Sequence, residues 1–235
     1  MIDNEWADQI EAAGDRSGLV PWLRAGRRDL DDLCSRHPSW ALRACVAPGW
    51  AALLGPARLD DCAQRDPQEA LMFASQYLAQ ARLDECAIGA PWFALRFAVA
   101  RISAESLEWC ARATPLSALE HAPAGLSPET LDWCAERNHA LALRYAAHLL
   151  SPERLDACAR ACPGLALEFA AEVLSARRLR LCIRKRPELA LRFAAGRLTA
   201  RQIGLCATKE PQAALLSAAA HLTPKQAARC RRMAQ

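Results

Sequence analysis

Apolar and polar positions repeat along this chain every 24 residues. Counting from Leu59, position 12 is Ala and position 13 is Leu in all eight copies. Positions 12, 13, 16 and 20 lie on one side of a helix with 3.6 residues per turn, as do positions 1, 4 and 5 of the preceding segment. We therefore predict two amphipathic helices in each copy. Position 4 is the cysteine column: Cys62, Cys86, Cys110, Cys134, Cys158, Cys182, Cys206 and Cys230.

Capping residues and prolines predict where these helices begin and end. In Ser127-Pro128-Glu129, Ser can cap the helix, Pro suits its first turn, and Glu faces the positive end of the helix dipole. A proline at position 9 of most copies then ends the first helix and opens the second. Each helix is expected to span about 9–11 residues, which is too short to persist alone in water. Stability must therefore come from stacking of neighbouring copies.

The copies begin at residues 30, 59, 83, 107, 131, 155, 179 and 203, with a partial copy at 227. The copy at residue 30 runs to Arg58 and carries five extra residues. Residues 1–29 fit no column, so we predict that they form an N-terminal cap over the apolar face of the first copy. The expected fold is all-α: an α-solenoid, or superhelix, of about eight 24-residue two-helix repeats with an N-terminal cap.

The period, the Leu-x-x-Cys-Ala opening, the proline in mid-repeat and the Ala-Leu-Arg-x-Ala segments at 94–98, 142–146 and 190–194 resemble the leucine-rich repeat variant family. The resemblance covers residues 30–230 and implies a curved solenoid in which an α-helix packs on a second, tighter helix. One type within that family binds an iron–sulfur cluster at an N-terminal group of cysteines. Residues 1–33 here contain no Cys, so the resemblance implies no cluster.

Composition indicates a folded protein that stays in the cytoplasm. A hydrophobic content of 52% excludes a wholly disordered chain, and only 6% of the residues are aromatic, which suits closely packed helices. The N-terminal segment has five carboxylates before its first Arg and no apolar run typical of a signal peptide. Charged residues also interrupt every apolar stretch, so we predict no membrane partner. Cysteines on helices about 8–10 Å apart are too distant for disulfides, so we expect them to be reduced and buried.

Charge is divided unevenly between the two ends of the chain. Residues 1–175 contain 16 Arg and 24 Asp or Glu, whereas residues 176–235 contain 14 Lys or Arg and 2 Glu. Position 2 carries an acidic ladder: Asp60, Asp84, Glu108, Asp132 and Asp156. A basic patch follows it: Arg177, Arg178, Arg180, Arg184, Lys185, Arg186 and Arg201. The helix dipole accounts for acids at helix starts as well as a partner does, but it disfavours Arg there, so the basic patch indicates a partner surface.

Two tryptophans, Trp109 and Trp133, occupy position 3 of adjacent copies. They should lie side by side near the acidic ladder, where they would serve either as anchors at an interface or as a buried pair that widens the core.

Sequence motifs of catalysis are absent: the chain has no glycine-rich phosphate loop, no GxSxG, no HExxH and no CxxC. Cys158 and Cys162 share a helical face, but no pair of His residues accompanies them in sequence to complete a zinc site. We therefore predict a protein that is not an enzyme and has no cofactor or metal.

Three hypotheses for its partner remain. The first is a protein-binding scaffold that holds a basic partner on the acidic ladder, as an inhibitor or immunity-type protein would. The second is a nucleic-acid-binding repeat protein that uses the basic patch. In the third, the basic end docks onto an acidic partner or onto the acidic end of another copy, and the latter would give head-to-tail self-association.

Overall fold

A computed structural model describes residues 4–14, 18–26 and 29–234. The chain divides into two compact units, Met1–Leu126 and Ser127–Gln235. Every regular element within the described ranges is helical, which confirms the all-α prediction. Residues 1–3, 15–17 and 27–28 of the predicted cap lie outside the described residues. The rest of the cap segment forms two helices that pack on each other and bury Ala7, Ile10, Leu19 and Leu23.

Ten α-helices are described in the first unit: α1 (Asn4–Ala12), α2 (Leu19–Arg24), α3 (Leu30–Arg36), α4 (Pro38–Arg43), α5 (Trp50–Arg65), α6 (Pro67–Glu69), α7 (Gln80–Gly89), α8 (Pro91–Phe93), α9 (Ala104–Ala113) and α10 (Pro115–His121). Single π-helical turns, Ala70–Ala74 and Ala94–Ala98, continue α6 and α8, and 3-10 turns cover Ala44–Val46, Ser75–Tyr77 and Pro123–Gly125. Gly55, with φ 74° and ψ 162°, divides α5 just before Pro56. This break lies within the first copy, the one that carries five extra residues.

Nine α-helices form the described part of the second unit: α11 (Pro128–Arg137), α12 (His139–Tyr145), α13 (Pro152–Ala161), α14 (Pro163–Phe169), α15 (Ala176–Lys185), α16 (Pro187–Phe193), α17 (Ala200–Lys209), α18 (Pro211–Ser217) and α19 (Pro224–Met233). Two 3-10 turns, Ala195–Arg197 and Ala219–His221, follow α16 and α18. Helices of 10 residues therefore begin every 24 residues, and a helix of 7 residues follows each of the first four.

Helix boundaries in the second unit follow from local capping. The hydroxyl oxygens of Ser127, Ser151 and Ser175 accept the backbone N–H three residues later and so cap α11, α13 and α15. The second helices are shorter than expected, because the chain leaves the helix at position 16, for example at Ala170 with φ −125° and ψ 6°. A turn instead of a continued helix then brings position 20, such as Leu174, into the interior.

Two columns of apolar residues, an alanine at position 12 and a leucine at position 13, contribute to the interior of both units. Position 12 is a fully buried alanine in every copy, and position 13 is a fully buried leucine from Leu42 to Leu191. The last leucine of this column, Leu215, is only half-buried. Alanine at position 12 lets neighbouring helices approach closely, while the leucine side chain fills the space between them.

Candidate functional site

Three members of the acidic ladder, Asp84, Asp132 and Asp156, contact the start of the 10-residue helix of the next helix pair. All five side chains of the ladder are half-buried. The carboxylate of Asp84 accepts the backbone N–H of Ser103 at 2.8 Å, and that of Asp132 accepts the Ser151 N–H at 3.3 Å and its hydroxyl at 2.5 Å. Ser103 and Ser151 are the N-caps of α9 and α13. These carboxylates therefore satisfy helix-end donors inside the protein, and partner binding by the ladder stays a prediction.

Electrostatics at Asp84 agree with this internal role. Burial of the carboxyl group opposes its ionisation, but the hydrogen bonds from Ser103 N–H, Gln80 and Ser106 outweigh it and lower the pKa. The carboxylate is thus held in its charged form by donors of the protein itself.

Asp156 uses its carboxylate differently, in an ion pair with Arg178. The Arg178 guanidinium lies 3.3 Å from the carboxylate, and only 10% of the arginine side chain is exposed, against 35% of the aspartate. The buried Nε of Arg178 has no hydrogen-bond partner. The prediction that Arg178 belongs to the surface patch is therefore wrong. It is the third residue of α15, where its side chain is buried and pairs with Asp156 of α13.

At the C-terminal end, glutamines replace the ladder carboxylates. The Oε1 of Gln202 accepts the Thr199 backbone N–H at 2.8 Å, and the Oε1 of Gln226 accepts that of Thr223 at 2.9 Å, so both helices have capping boxes. In the repeat that contains Thr199, position 2 is Arg180, which is exposed. Because the glutamine supplies the acceptor locally, the fold no longer needs an acid at position 2, and arginine can take its place.

Arg180 lines a groove between α15 and α17 that has a volume of about 600 Å³. Its apolar lining consists of Leu181, Ile183, Pro187 and Leu205, and its cations are Arg177, Arg180, Arg184 and Lys209. The three other residues of the predicted patch, Lys185, Arg186 and Arg201, are exposed but do not line the groove.

Sequence reasoning missed Leu181, Leu205 and Lys209. A signal for the leucines was available, since position 3 is Leu only in the copies that begin at residues 179 and 203; in the five copies before them it is Asp61, Glu85, Trp109, Trp133 and Ala157. The groove therefore combines part of the predicted patch with apolar side chains that the prediction did not include.

The two predicted aromatic anchors lie in different units. Trp109 is 45% exposed in the first unit. Trp133, in the second, is half-buried, and the Arg137 guanidinium carbon lies 3.3 Å from the centre of its ring. A cation over the ring covers one face of this indole and leaves less of it for a partner. The expected adjacency of the two side chains stays a prediction.

The cysteine column joins successive copies. The thiol of Cys86 donates to the carbonyl of Ala63 at 3.5 Å, and that of Cys110 donates to Ala87 at 3.3 Å. The residue four positions after each of these alanines is a proline, which has no N–H to offer, so the thiol fills the role of the missing donor.

In the copy that begins at residue 131, a histidine side chain supplies the donor to this carbonyl. His139 stands where the proline would be, and its Nδ1 donates to the Ala135 carbonyl at 3.0 Å. The Sγ of Cys158 lies 3.4 Å from that nitrogen. The sequence had indicated no His beside Cys158, so this contact is a product of the tertiary fold.

All eleven cysteines are free thiols, and all except the half-buried Cys162 are buried. Burial raises the pKa of Cys86, Cys110 and Cys158 to about 11. At neutral pH these sulfurs are therefore protonated and poorly suited to act as nucleophiles or metal ligands.

Within residues 4–14, 18–26 and 29–234, no three His, Cys, Asp or Glu side chains converge on a possible metal position. Over the same ranges, no helix combines the length and the apolar character that a bilayer crossing requires. Comparison with protein-family models, with curated proteins and with solved structures finds no significant match to this chain.

Proposed function

We propose that this chain is a non-enzymatic protein-binding scaffold, built as an α-solenoid of 24-residue repeats like those of the leucine-rich repeat variant family. The helix pairs and the buried alanine and leucine columns support this architecture, because a short helix pair that cannot bury its apolar face alone gains stability from its neighbours. The eleven free thiols suit a reducing compartment, such as the cytoplasm.

One observation carries the binding function: the groove between α15 and α17 exposes charged and apolar side chains that helix packing does not require. Arg180 occupies a position whose earlier occupants are carboxylates bonded inside the protein, and Leu205 is 61% exposed. Exposure of a large apolar side chain among cations offers no stability, whereas it provides both affinity and orientation for a partner.

The thiol chemistry supports a non-enzymatic role. The one Cys–His contact noted above serves a helix-end carbonyl, with the imidazole donating to Ala135 and the nearby Cys158 protonated at neutral pH. A nucleophilic cysteine requires the opposite arrangement, in which a neighbouring base lowers the pKa of an accessible thiol.

Nucleic-acid binding remains the second candidate, favoured by the exposed cations of the groove: Arg177, Arg180, Arg184 and Lys209. Such binding would rest on phosphate contacts and would fall steeply with salt. The apolar lining favours a protein partner over this candidate, because phosphates do not cover leucine side chains.

The test compares retention of proteins by the immobilised chain with its binding of labelled DNA and RNA, at about 50 and 150 mM salt. The decisive variant reverses three groove charges: Arg177→Glu, Arg180→Glu and Arg184→Glu. A control with the same change in net charge acts on α19: Arg229→Glu, Arg231→Glu and Arg232→Glu. Arg178 is left intact because it is buried.

A protein-binding scaffold predicts proteins that remain bound after nuclease treatment and that the groove variant releases while the α19 variant keeps them. Retention that disappears with nuclease, together with tight oligonucleotide binding, would establish the second candidate. The architecture has a separate test by small-angle X-ray scattering: a solenoid should have a radius of gyration above the ~18 Å of a compact domain of this length.

A further inference from the structure

We propose that the groove between α15 and α17 binds an acidic, amphipathic helical segment of a partner protein. This inference rests on the scaffold function and adds the site and the chemistry of the segment. Two properties of the groove determine that chemistry: exposed leucines, which require apolar contacts, and unpaired cations, which require acidic ones.

The leucines at position 3 are not needed by the fold. Leu181 is 37% exposed and Leu205 is 61% exposed, whereas the core residues of the same helices are buried. The same helical position holds an acid in two helices of the first unit, Asp61 and Glu85, and the adjacent Cys62 and Cys86 of those helices are still buried. Apolar side chains at these two positions therefore serve an interaction outside the chain.

Four cations surround these leucines: Arg177, Arg180, Arg184 and Lys209. None of the four forms a salt bridge with any residue that the structure describes, whereas other arginines of this unit, such as Arg178, Arg186 and Arg197, do have carboxylate partners. Their charge is thus uncompensated within the described molecule. A partner with carboxylates beside its apolar residues would be attracted and oriented by it.

The placement of the leucines suits a helix. Leu181 and Leu205 occupy the same repeat position on α15 and α17, and both line the groove. A bound amphipathic helix presents apolar side chains at i, i+3, i+4 and i+7 along one face, so that face can cover both leucines at once. Asp or Glu on the flanks of that apolar face would then reach the cations on either side of the groove.

Other occupants fit the groove less well. A nucleic acid would neutralise the cations but leave the leucines exposed, and the groove has no aromatic side chain on which a base could stack. A second copy of this chain could offer its acidic N-terminal helix α1, which carries Glu5, Asp8 and Glu11. In α1, Ala7 and Ile10 are fully buried and the half-buried Trp6 packs edge-on against Trp50, so that helix has little apolar surface to present.

The binding assay is fluorescence anisotropy of a labelled synthetic peptide of about 16 residues, enough for four helical turns, with Leu along one face and Glu on both flanks. A peptide of the same composition in scrambled order is the control, and labelled single-stranded DNA and RNA of about 20 nucleotides form a second arm. Sedimentation of the chain alone forms a third arm, which detects a second copy as the occupant.

The decisive variant is Leu181→Asn/Leu205→Asn, and its matched control is Leu216→Asn, because Leu216 is 86% exposed and does not line the groove. We expect the double variant to weaken peptide binding at least about tenfold, since two leucines lose their contacts, and Leu216→Asn to change it less than about twofold. The triple reversal of the groove arginines should also weaken binding at least about tenfold, and the reversal on α19 clearly less. Far-ultraviolet circular dichroism checks that each variant is folded.

Each remaining outcome overturns the inference. The amphipathic peptide could fail to bind, or bind no better than the scrambled one. The leucine variant could bind the peptide as the natural chain does while the oligonucleotides bind more tightly, which would identify a phosphate-binding surface. Self-association abolished by the groove variants would identify a second copy. If the peptide fails while the immobilised chain still retains proteins after nuclease treatment, the scaffold function stands and only this site is refuted.

Discussion

Removal of the Asp156 carboxylate should be more harmful than removal of both members of its ion pair. Asp156→Ala leaves the Arg178 guanidinium, with a side chain only 10% exposed, without its counter-ion. Loss of one partner of a fully buried pair costs about 3–5 kcal/mol. Since 35% of the aspartate side chain is exposed, we expect a loss of about 2–3 kcal/mol in the free energy of unfolding.

Arg178→Gln should be nearly neutral and should rescue Asp156→Ala. Gln202 occupies the same repeat position two helices later, where it accepts the N–H of its own N-cap residue. Glutamine at position 178 can form the same capping box with Ser175, whose hydroxyl already accepts the Arg178 N–H. We expect about 0.5–1 kcal/mol of destabilisation for this single change and about 1 kcal/mol for the double variant, a coupling of about 2 kcal/mol.

The measurement is urea denaturation at neutral pH, followed by far-ultraviolet circular dichroism, for the natural chain, the two single variants and the double variant. A change in midpoint at constant slope reports stability. If the double variant loses as much as the sum of the single variants, the guanidinium is not penalised by burial, and the assignment of Arg178 to the interior is refuted.

Three further predictions concern the carboxylates and thiols. The lowered pKa of Asp84 contributes stability that is present above the unfolded pKa of about 3.9 and is lost as the pH falls through the folded value. The Asp84→Asn variant should therefore lose less stability than the natural chain between about pH 5 and 3. An acid titration by circular dichroism that is the same for both proteins would contradict this. Cys110→Ala should lower the free energy of unfolding by about 2 kcal/mol, and Cys110→Ser should lower it by less because a hydroxyl can still donate to the Ala87 carbonyl. Urea denaturation compares the stability of the two variants. If Cys110→Ser is the less stable one, the thiol hydrogen bond has no stabilising role. A colorimetric thiol reagent should modify one cysteine quickly in the folded protein, and Cys162→Ser should abolish that fast phase.

Local sequence signals predicted where the helices begin more accurately than how long they are. Ser-Pro-Glu at the start of α13 combines a cap, a first-turn proline and a dipole-compensating acid, all of which act within one turn. The length of the second helices was overestimated because positions 12, 13, 16 and 20 satisfy helical periodicity whether or not the helix continues. The chain instead turns at Ala170, a choice that depends on packing against neighbouring helices.

The site was only partly accessible to sequence reasoning. The change of sign at position 2 pointed to the region of Arg180, and the groove lies there. The sequence did not distinguish Arg177, which lines the groove, from the adjacent Arg178, which is buried against Asp156. Adjacent residues on a helix are separated by about 100°, so only the position of the neighbouring helix decides which of them faces the solvent.

By itself, the sequence determined the helical class and the burial of the small apolar columns, because caps, prolines and 3.6-residue periodicity act over a few residues. Tertiary structure alone decided which polar groups find partners on a neighbouring helix. Asp84, Asp132 and Asp156 bind donors of the protein itself, whereas Arg180 has no carboxylate partner among the described residues and Gln202 forms the helix cap. Such pairings join residues about 20 positions apart in the chain, and a repeat pattern does not show which donor each acceptor meets until the helices are packed.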